Sequence, residues 1–359
     1  MDRLHAGARE TFLLRLDVAR IAAHAAARIR VRTESRYATS IHPVDWANGE
    51  RQAMVESRLQ DRLLVLLVSG ALVILAILAL VYPFAPTVRA QNVREFSLTA
   101  EPATIDVSPG VVWDAWTYNG TVPGPTLRVR VGDLVRIHFT NNLDLRHSIH
   151  VHGLRYTIES DGSQAYPASI PGPGESYTYT YEATRPGLFY YHCHSSDGNR
   201  TISYHMSQGL YGAIIVYPAD QWPPTTTYEF VQFFGEAPGV GYHINGKQAW
   251  EHDLQTLVEA QGYDSAFQTL KAAGVPTVPV GTELTFYLVG IGDQYHSWHM
   301  HGGSPVFVNG APVEGDVIPL GPGTAAIARV RPANPGIWLI HCHVVIHADL
   351  GMVTLILVE

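Results

Sequence analysis

The stretch His341-Cys342-His343-Val344-Val345-Ile346-His347-Ala348-Asp349-Leu350-Gly351-Met352 decides how the rest of the chain is read. Two imidazoles flank a thiol, a third imidazole follows, and a thioether closes the run. Imidazole, thiolate and a weak axial thioether are the donor set of a blue-copper electron-transfer site. Side chains alternate across a strand, so His341 and His343 point one way and Cys342 the other. The thiol serves a metal inside its own domain, and the two imidazoles serve metal on the outer face.

The pattern has an earlier copy. His147-Ser148-Ile149-His150-Val151-His152-Gly153 recurs as His296-Ser297-Trp298-His299-Met300-His301-Gly302, and His192-Cys193-His194 recurs as His341-Cys342-His343. The offsets 296 − 147, 299 − 150 and 342 − 193 all equal 149, so the chain holds two copies of one domain. From Val93 onward it consists of short β-rich runs punctuated by Gly and Pro, among them 126–131, 134–140, 176–181, 210–217, 283–289, 325–330 and 353–358. That texture predicts an all-β protein of two sandwiches, residues 93–218 and 229–359, joined by a linker at 219–228. One helical insert is expected over 254–273.

Strand parity sorts the histidines. His150 and His152 share a face, while His147 lies at an odd offset and turns toward Cys193; His296 does the same toward Cys342. Each domain then presents four outward imidazoles: His150, His152, His192 and His194 in the first, His299, His301, His341 and His343 in the second. Eight neutral imidazoles suit a copper cluster gripped between two domain faces. The inner site of the second domain is His296, Cys342 and His347 with axial Met352. In the first it is His147, Cys193 and His205, with Leu210 in the axial place, where it cannot coordinate. Two readings of that inner site stand: a working site of raised potential, or a relic without copper.

The 359 residues carry a net charge of -8 and only two Lys, so no basic stripe for nucleic acid is present. Both Cys lie between His residues, which favours a metal role over a disulfide. Leu63–Tyr82 is a run of 20 uncharged residues, about one bilayer core in length. We therefore expect a cytoplasmic Arg-rich tail at 1–62, a transmembrane helix or signal anchor at 63–84, a linker at 85–92, and domains that are extracellular or periplasmic. A signal-peptidase site at Val88-Arg89-Ala90 is the alternative to a retained anchor.

From Val93 to Glu359 these motifs resemble the multicopper oxidases, and specifically the two-domain, small laccase-like family. The resemblance implies two cupredoxin-like Greek-key β-sandwich domains and a homotrimer in which the first domain of one chain faces the second domain of the next. It implies that His150 and His299 bind a type 2 copper and that His152, His192, His194, His301, His341 and His343 bind a binuclear type 3 pair, giving four or five Cu per chain with the type 1 sites. The implied activity couples one-electron oxidation of phenolic, aromatic amine or metal-ion donors to four-electron reduction of O2 to water. Asp161 matches an acid near the cluster in small laccases and is read as a proton relay, against an ordinary Asp-Gly turn. Tyr156, four residues past His152, shares its face if the strand runs on, and is read as an electron or proton donor, against simple packing. Two other functions fit parts of the pattern. A two-domain copper nitrite reductase needs only three His at its catalytic copper and no ligand directly after its Cys, so His194 and His343 argue against it. A non-catalytic copper-binding electron carrier needs no outward imidazoles.

Overall fold

A computed structural model of the chain describes residues 92–197, 200–224 and 228–359. The tail and the expected membrane-crossing segment lie outside the described residues; among those described, no helix is long and apolar enough to cross a membrane. The first half contains β1 (Val93–Ser108), β2 (Val111–Tyr118), β3 (Gly124–Arg130), β4 (Leu134–Asn141), β5 (His150–Val151), β6 (Ser176–Glu182), β7 (Gly187–His192) and β8 (Tyr211–Tyr217). The second half contains β9 (Glu229–Ala237), β10 (Gly241–Ile244), β11 (Thr277–Val278), β12 (Leu284–Gly290), β13 (His296–Met300), β14 (Val306–Val308), β15 (Ala311–Pro312), β16 (Val317–Leu320), β17 (Ala325–Val330), β18 (Gly336–Cys342) and β19 (Val353–Val358). Four sheets result, with strand orders β2-β1-β4-β6, β3-β8-β7-β5, β10-β9-β12-β17-β14-β15 and β11-β19-β18-β13-β16. The duplication is visible in the pairing: β1 with β4 and β3 with β8 are parallel, as are β9 with β12 and β11 with β19.

Strand β4 shows the local rule. Val135, Ile137 and Phe139 are fully buried, whereas Arg136 and His138 face outward onto Glu95 of β1. Strands β8 and β12 break the alternation and are buried along their whole length, as expected for strands covered on both faces. Ile214 and Val216 enter the core of the first domain, and Ala213 and Ile215 enter a third core shared by the two domains. On β12, Phe286 and Leu288 fill the core of the second domain, while Tyr287 and Val289 join the shared one. A polar clamp closes the same seam: Arg128 Nη1 and Tyr217 OH donate to Glu229 Oε2 at 2.8 Å each, and Tyr287 OH donates to Oε1 at 3.0 Å.

The helices are α1 (Ile202–Ser207), α2 (Glu251–Gln261), α3 (Tyr263–Ala272) and α4 (Val345–Asp349). The single insert expected at 254–273 is in fact two helices, because Gly262 at φ +82° breaks the helix with a backbone that side-chain-bearing residues rarely adopt. The Thr201 hydroxyl caps α1 by accepting the Tyr204 N–H. A second departure lies next to the first motif: β5 ends at Val151, so no strand runs on from His152 to Tyr156. Strand register assembles the motifs. β5 and β7 pair His150 with His192, and β13 and β18 pair His299 with His341 and Trp298 with Cys342.

Candidate metal centres

Each thiol sits at the centre of an imidazole pair. Cys193 Sγ lies 3.5 Å from His147 Nδ1 and 3.4 Å from His205 Nδ1, with the two nitrogens 3.2 Å apart. In the second domain Cys342 Sγ lies 4.0 Å from His296 Nδ1 and 3.6 Å from His347 Nδ1, again with 3.2 Å between nitrogens. A point equidistant from three such atoms is about 1.9 Å and about 2.1 Å away respectively, close to transition-metal bond lengths to imidazole and thiolate. All six residues are buried. Converging lone pairs in a dry pocket repel unless a cation lies among them, so both donor sets fit copper.

The axial positions match at the backbone. Cys193 N–H donates to Leu210 O at 3.0 Å, and Cys342 N–H donates to Met352 O at 3.1 Å. Leu210 and Met352 are both fully buried at equivalent places. Helices α1 and α4 deliver His205 and His347, and Gly209 and Gly351 turn the chain back into β8 and β19 with φ of +114° and +100°.

The outward imidazoles form two walls. In the first, His150 meets the rings of His152, His192 and His194 with centroids 5.1, 5.4 and 4.8 Å away. In the second, His299 meets His301, His341 and His343 at 5.1, 5.2 and 5.1 Å. The pairs His152 Nε2–His192 Nε2 and His301 Nε2–His341 Nε2 approach to 3.0 and 3.1 Å. His192 and His341 each donate from Nδ1 to the carbonyl of the adjacent Cys at 2.9 Å, which leaves Nε2 as a lone pair turned into the wall. Among the described residues, no ring of one wall contacts a ring of the other within a single chain, and His343 is exposed.

Burial favours the neutral form in most of these rings, whereas at His296 burial is outweighed by the hydrogen bonds to Cys342 and Glu236, which raise the pKa. Burial, with repulsion from His205, takes His147 down to about 3. His192 falls to about 3 and His152 to about 4, for burial first and then neighbouring rings. His150, His301, His341 and His347 are lowered mainly by burial. Neutral imidazoles are the form that binds metal. The thiols differ. Burial pushes Cys193 up to about 11. Burial also raises Cys342, but its hydrogen bonds from His296 and the Ser297 and Val344 N–H groups outweigh this and hold it below the ordinary value.

The sequence-predicted residues are thus brought together in four groups. Asp161 backs the first wall: its carbonyl accepts from His150 Nδ1 at 2.7 Å, and its carboxylate is 3.7 Å from the same nitrogen. It also ends the short 3-10 helix Ile158–Ser160, and Gly162 follows at φ +69° with no room for a Cβ, which would lie 2.1 Å from Ile149 O. Tyr156 packs edge-on against His150, at 6.1 Å, rather than beside His152. Burial first, then Asp161, raises its hydroxyl pKa.

Several partners were missed. Asp316 repeats Asp161 behind His299, with its carbonyl 3.3 Å and its carboxylate 3.4 Å from Nδ1; it lies 15 residues past His301, against nine for Asp161 past His152, and the unequal loops hide it. Ser148 and Ser297, both inside the repeated motif, accept the N–H of His194 and His343 at 3.2 and 3.1 Å. Trp116 stands edge-on to His147 and His205, while Tyr242 stacks on His347 with centroids 3.8 Å apart.

Both halves match models described as multicopper oxidase, over residues 99–221 and 247–359. Among curated proteins, the chain is 32% identical to a "probable nitrite reductase-hydroxylamine oxidoreductase fusion protein" of Kuenenia stuttgartiensis, over 73% of this chain and 31% of that protein. The chain spans less than two thirds of the length of the curated relatives it matches first. Among solved structures, a blue copper oxidase from Nitrosomonas europaea aligns with TM-score 0.60 and 28% identity, over 75% of this chain and 86% of that one. A copper nitrite reductase from Nitrosomonas europaea aligns with TM-score 0.61 and 25% identity, over 75% and 94%. The mostly β architecture and the His and Cys groups agree with these cupredoxin-like neighbours. With a match in each half and a metal-ligand set in each sandwich, the chain belongs to the multicopper oxidase family as a two-domain member.

Proposed function

We propose that the protein is a laccase-like oxidase that takes single electrons from a small reducing substrate and reduces O2 to water. The observation that carries this reading is the fourth imidazole in each wall, His194 and His343, placed directly after the thiols and held by Ser148 and Ser297. Bound copper supplies a one-electron couple at the thiolate sites and the oxygen chemistry at the walls. The protein's part is positioning. Cys342 reaches His341 and His343 through adjacent backbone bonds, and the His341 Nδ1–H bond to the Cys342 carbonyl adds a second link. Cys193 and His192 repeat that arrangement. The Asp161 carboxylate, beside His150 and Tyr156, is placed to pass protons to the first wall.

The separation of the walls within one chain supports a homotrimer in which a neighbouring copy closes each cluster, with His150 and His299 on the type 2 copper and the other six on the type 3 pair. Four or five copper atoms per chain follow, the fifth depending on the Leu210 site. The apolar segment 63–84 supports anchoring to a membrane with the domains extracellular or periplasmic. The second reading, nitrite reduction, is favoured by the named relatives. Parallel measurement of O2 uptake and nitrite consumption by the purified holoprotein, with copper counted, separates the two. The oxidase consumes O2 and leaves nitrite unchanged.

A further inference from the structure

Duplication gives each inner site an internal control, and the two differ beyond their ligands. Equivalent backbone bonds fix the correspondence: Asn142 N–H donates to Ala100 O as Ile291 N–H donates to Phe234 O, and Asn119 N–H donates to Thr99 O as Asn245 N–H donates to Phe233 O. Two residues further along β1 and β9, Pro102 therefore corresponds to Glu236. Their cross-strand partners are Trp116 and Tyr242, the two rings that cover the inner sites.

Glu236 Oε2 lies 3.3 Å from His296 Nε2. Its Oε1 is fixed by the Asp293 and Gln294 N–H groups at 2.6 and 3.2 Å. Gly292, at φ +98°, leaves room for this carboxylate; a Cβ there would come within 2.6 Å of it. The Asp293 carboxylate in turn accepts from Ser203 of α1, the helix that delivers His205 in the other domain. The carboxylate is thus fixed from two sides within the second domain, and the loop that fixes it is tied to α1 across the domain seam. On the first-domain side, Nε2 of His147, the equivalent of His296, is buried without a hydrogen-bond partner among the described residues. Burial dominates at both histidines of that site; Asp197 opposes it at His147 and His205 without a bond to His147 Nε2, and Arg200 offsets Asp197 at His205.

We propose that Glu236 sets the two thiolate sites apart, holding the second-domain site at a lower reduction potential than the first-domain site by accepting the His296 Nε2–H. A carboxylate on the far nitrogen makes the ligating nitrogen a stronger donor and adds negative charge, which favours the higher oxidation state of the metal. Leu210 in place of Met352 removes a weak donor from the first site and acts in the same direction. Electrons arriving at either site then rest on the first domain, and the second remains oxidised and ready to accept. The inference rests on the oxidase reading above, taken with five copper atoms per chain, so that both thiols bind the metal.

The test is a redox titration of the full-length holoprotein, following the thiolate–copper band with copper counted. Each site takes one electron from the titrant. Cys193→Ser and Cys342→Ser variants assign the two steps, and the second-domain step lies at the lower potential. In Glu236→Gln that step rises by at least a tenfold change in the reduction equilibrium, about 59 mV for one electron, while the first-domain step stays put. Glu236→Asp, which keeps the charge, stays near wild type. An unchanged second-domain step in Glu236→Gln with its band intact overturns the proposal. So does a wild-type second-domain potential at or above that of the first, which needs no Glu236 variant. Absence of the thiolate band from wild type would overturn the copper reading itself, and this inference with it.

Discussion

His147 and His192 are held neutral by burial, and this has a consequence for the metal-free protein. His147 and His192 titrate near 3 when folded, whereas an unfolded imidazole titrates near 6.5. Between these values the unfolded chain binds protons that the folded chain refuses, so stability falls as pH drops below about 6.5. The melting temperature of copper-stripped protein should decline steadily from pH 7 to pH 4, and a flat profile across that range would contradict the assigned burial. Asp161 offers a sharper test, because its backbone carbonyl orients His150 whatever its side chain. Asp161→Asn should retain all copper yet lower O2 reduction by about 10²–10⁴-fold, with no change in the thiolate band. Full activity in that variant would return Asp161 to a simple turn role. The ligand residues were legible because their types and spacing repeat at one offset. Asp316, Trp116, Tyr242 and Glu236 were not, because loops of unequal length separate them from the motifs and only strand register brings them together.

At the scale of elements, β8 carries two cores at once. Ile214 faces the first-domain core and Ile215 the shared core, and both are essentially inaccessible. Truncation of either to Ala should cost about 2–5 kcal/mol in chemical denaturation. An Ile215→Ala cost near zero would mean that the shared core does not form. Most strands were readable from their β-rich runs between Gly and Pro, and β17 and β19 have the expected bounds. Two elements were not. β5 is a two-residue strand whose length depends on its pairing with β7 rather than on its own sequence. The insert at 254–273 has helical composition throughout, and its break at Gly262 is a backbone event that periodicity does not register.

At the scale of the molecule, the duplicated sandwiches present two imidazole walls whose rings, among the described residues, make no contact with each other within one chain. If a second copy completes each cluster, the oxygen chemistry depends on assembly while the thiolate sites do not. Dissociated single chains should therefore keep the thiolate band and lose O2 reduction, as read by light scattering alongside oxygen uptake. Activity in a demonstrably monomeric sample would contradict interchain closure. The most direct test of the central claim is the stoichiometry of oxygen consumption by the copper-loaded protein with a one-electron donor. Two complete four-imidazole walls fed by neighbouring thiolates predict four donor molecules oxidised for each O2 consumed, with no hydrogen peroxide released. A preparation that retains its copper but leaves O2 untouched while consuming nitrite, or that releases peroxide for each two electrons, would contradict it.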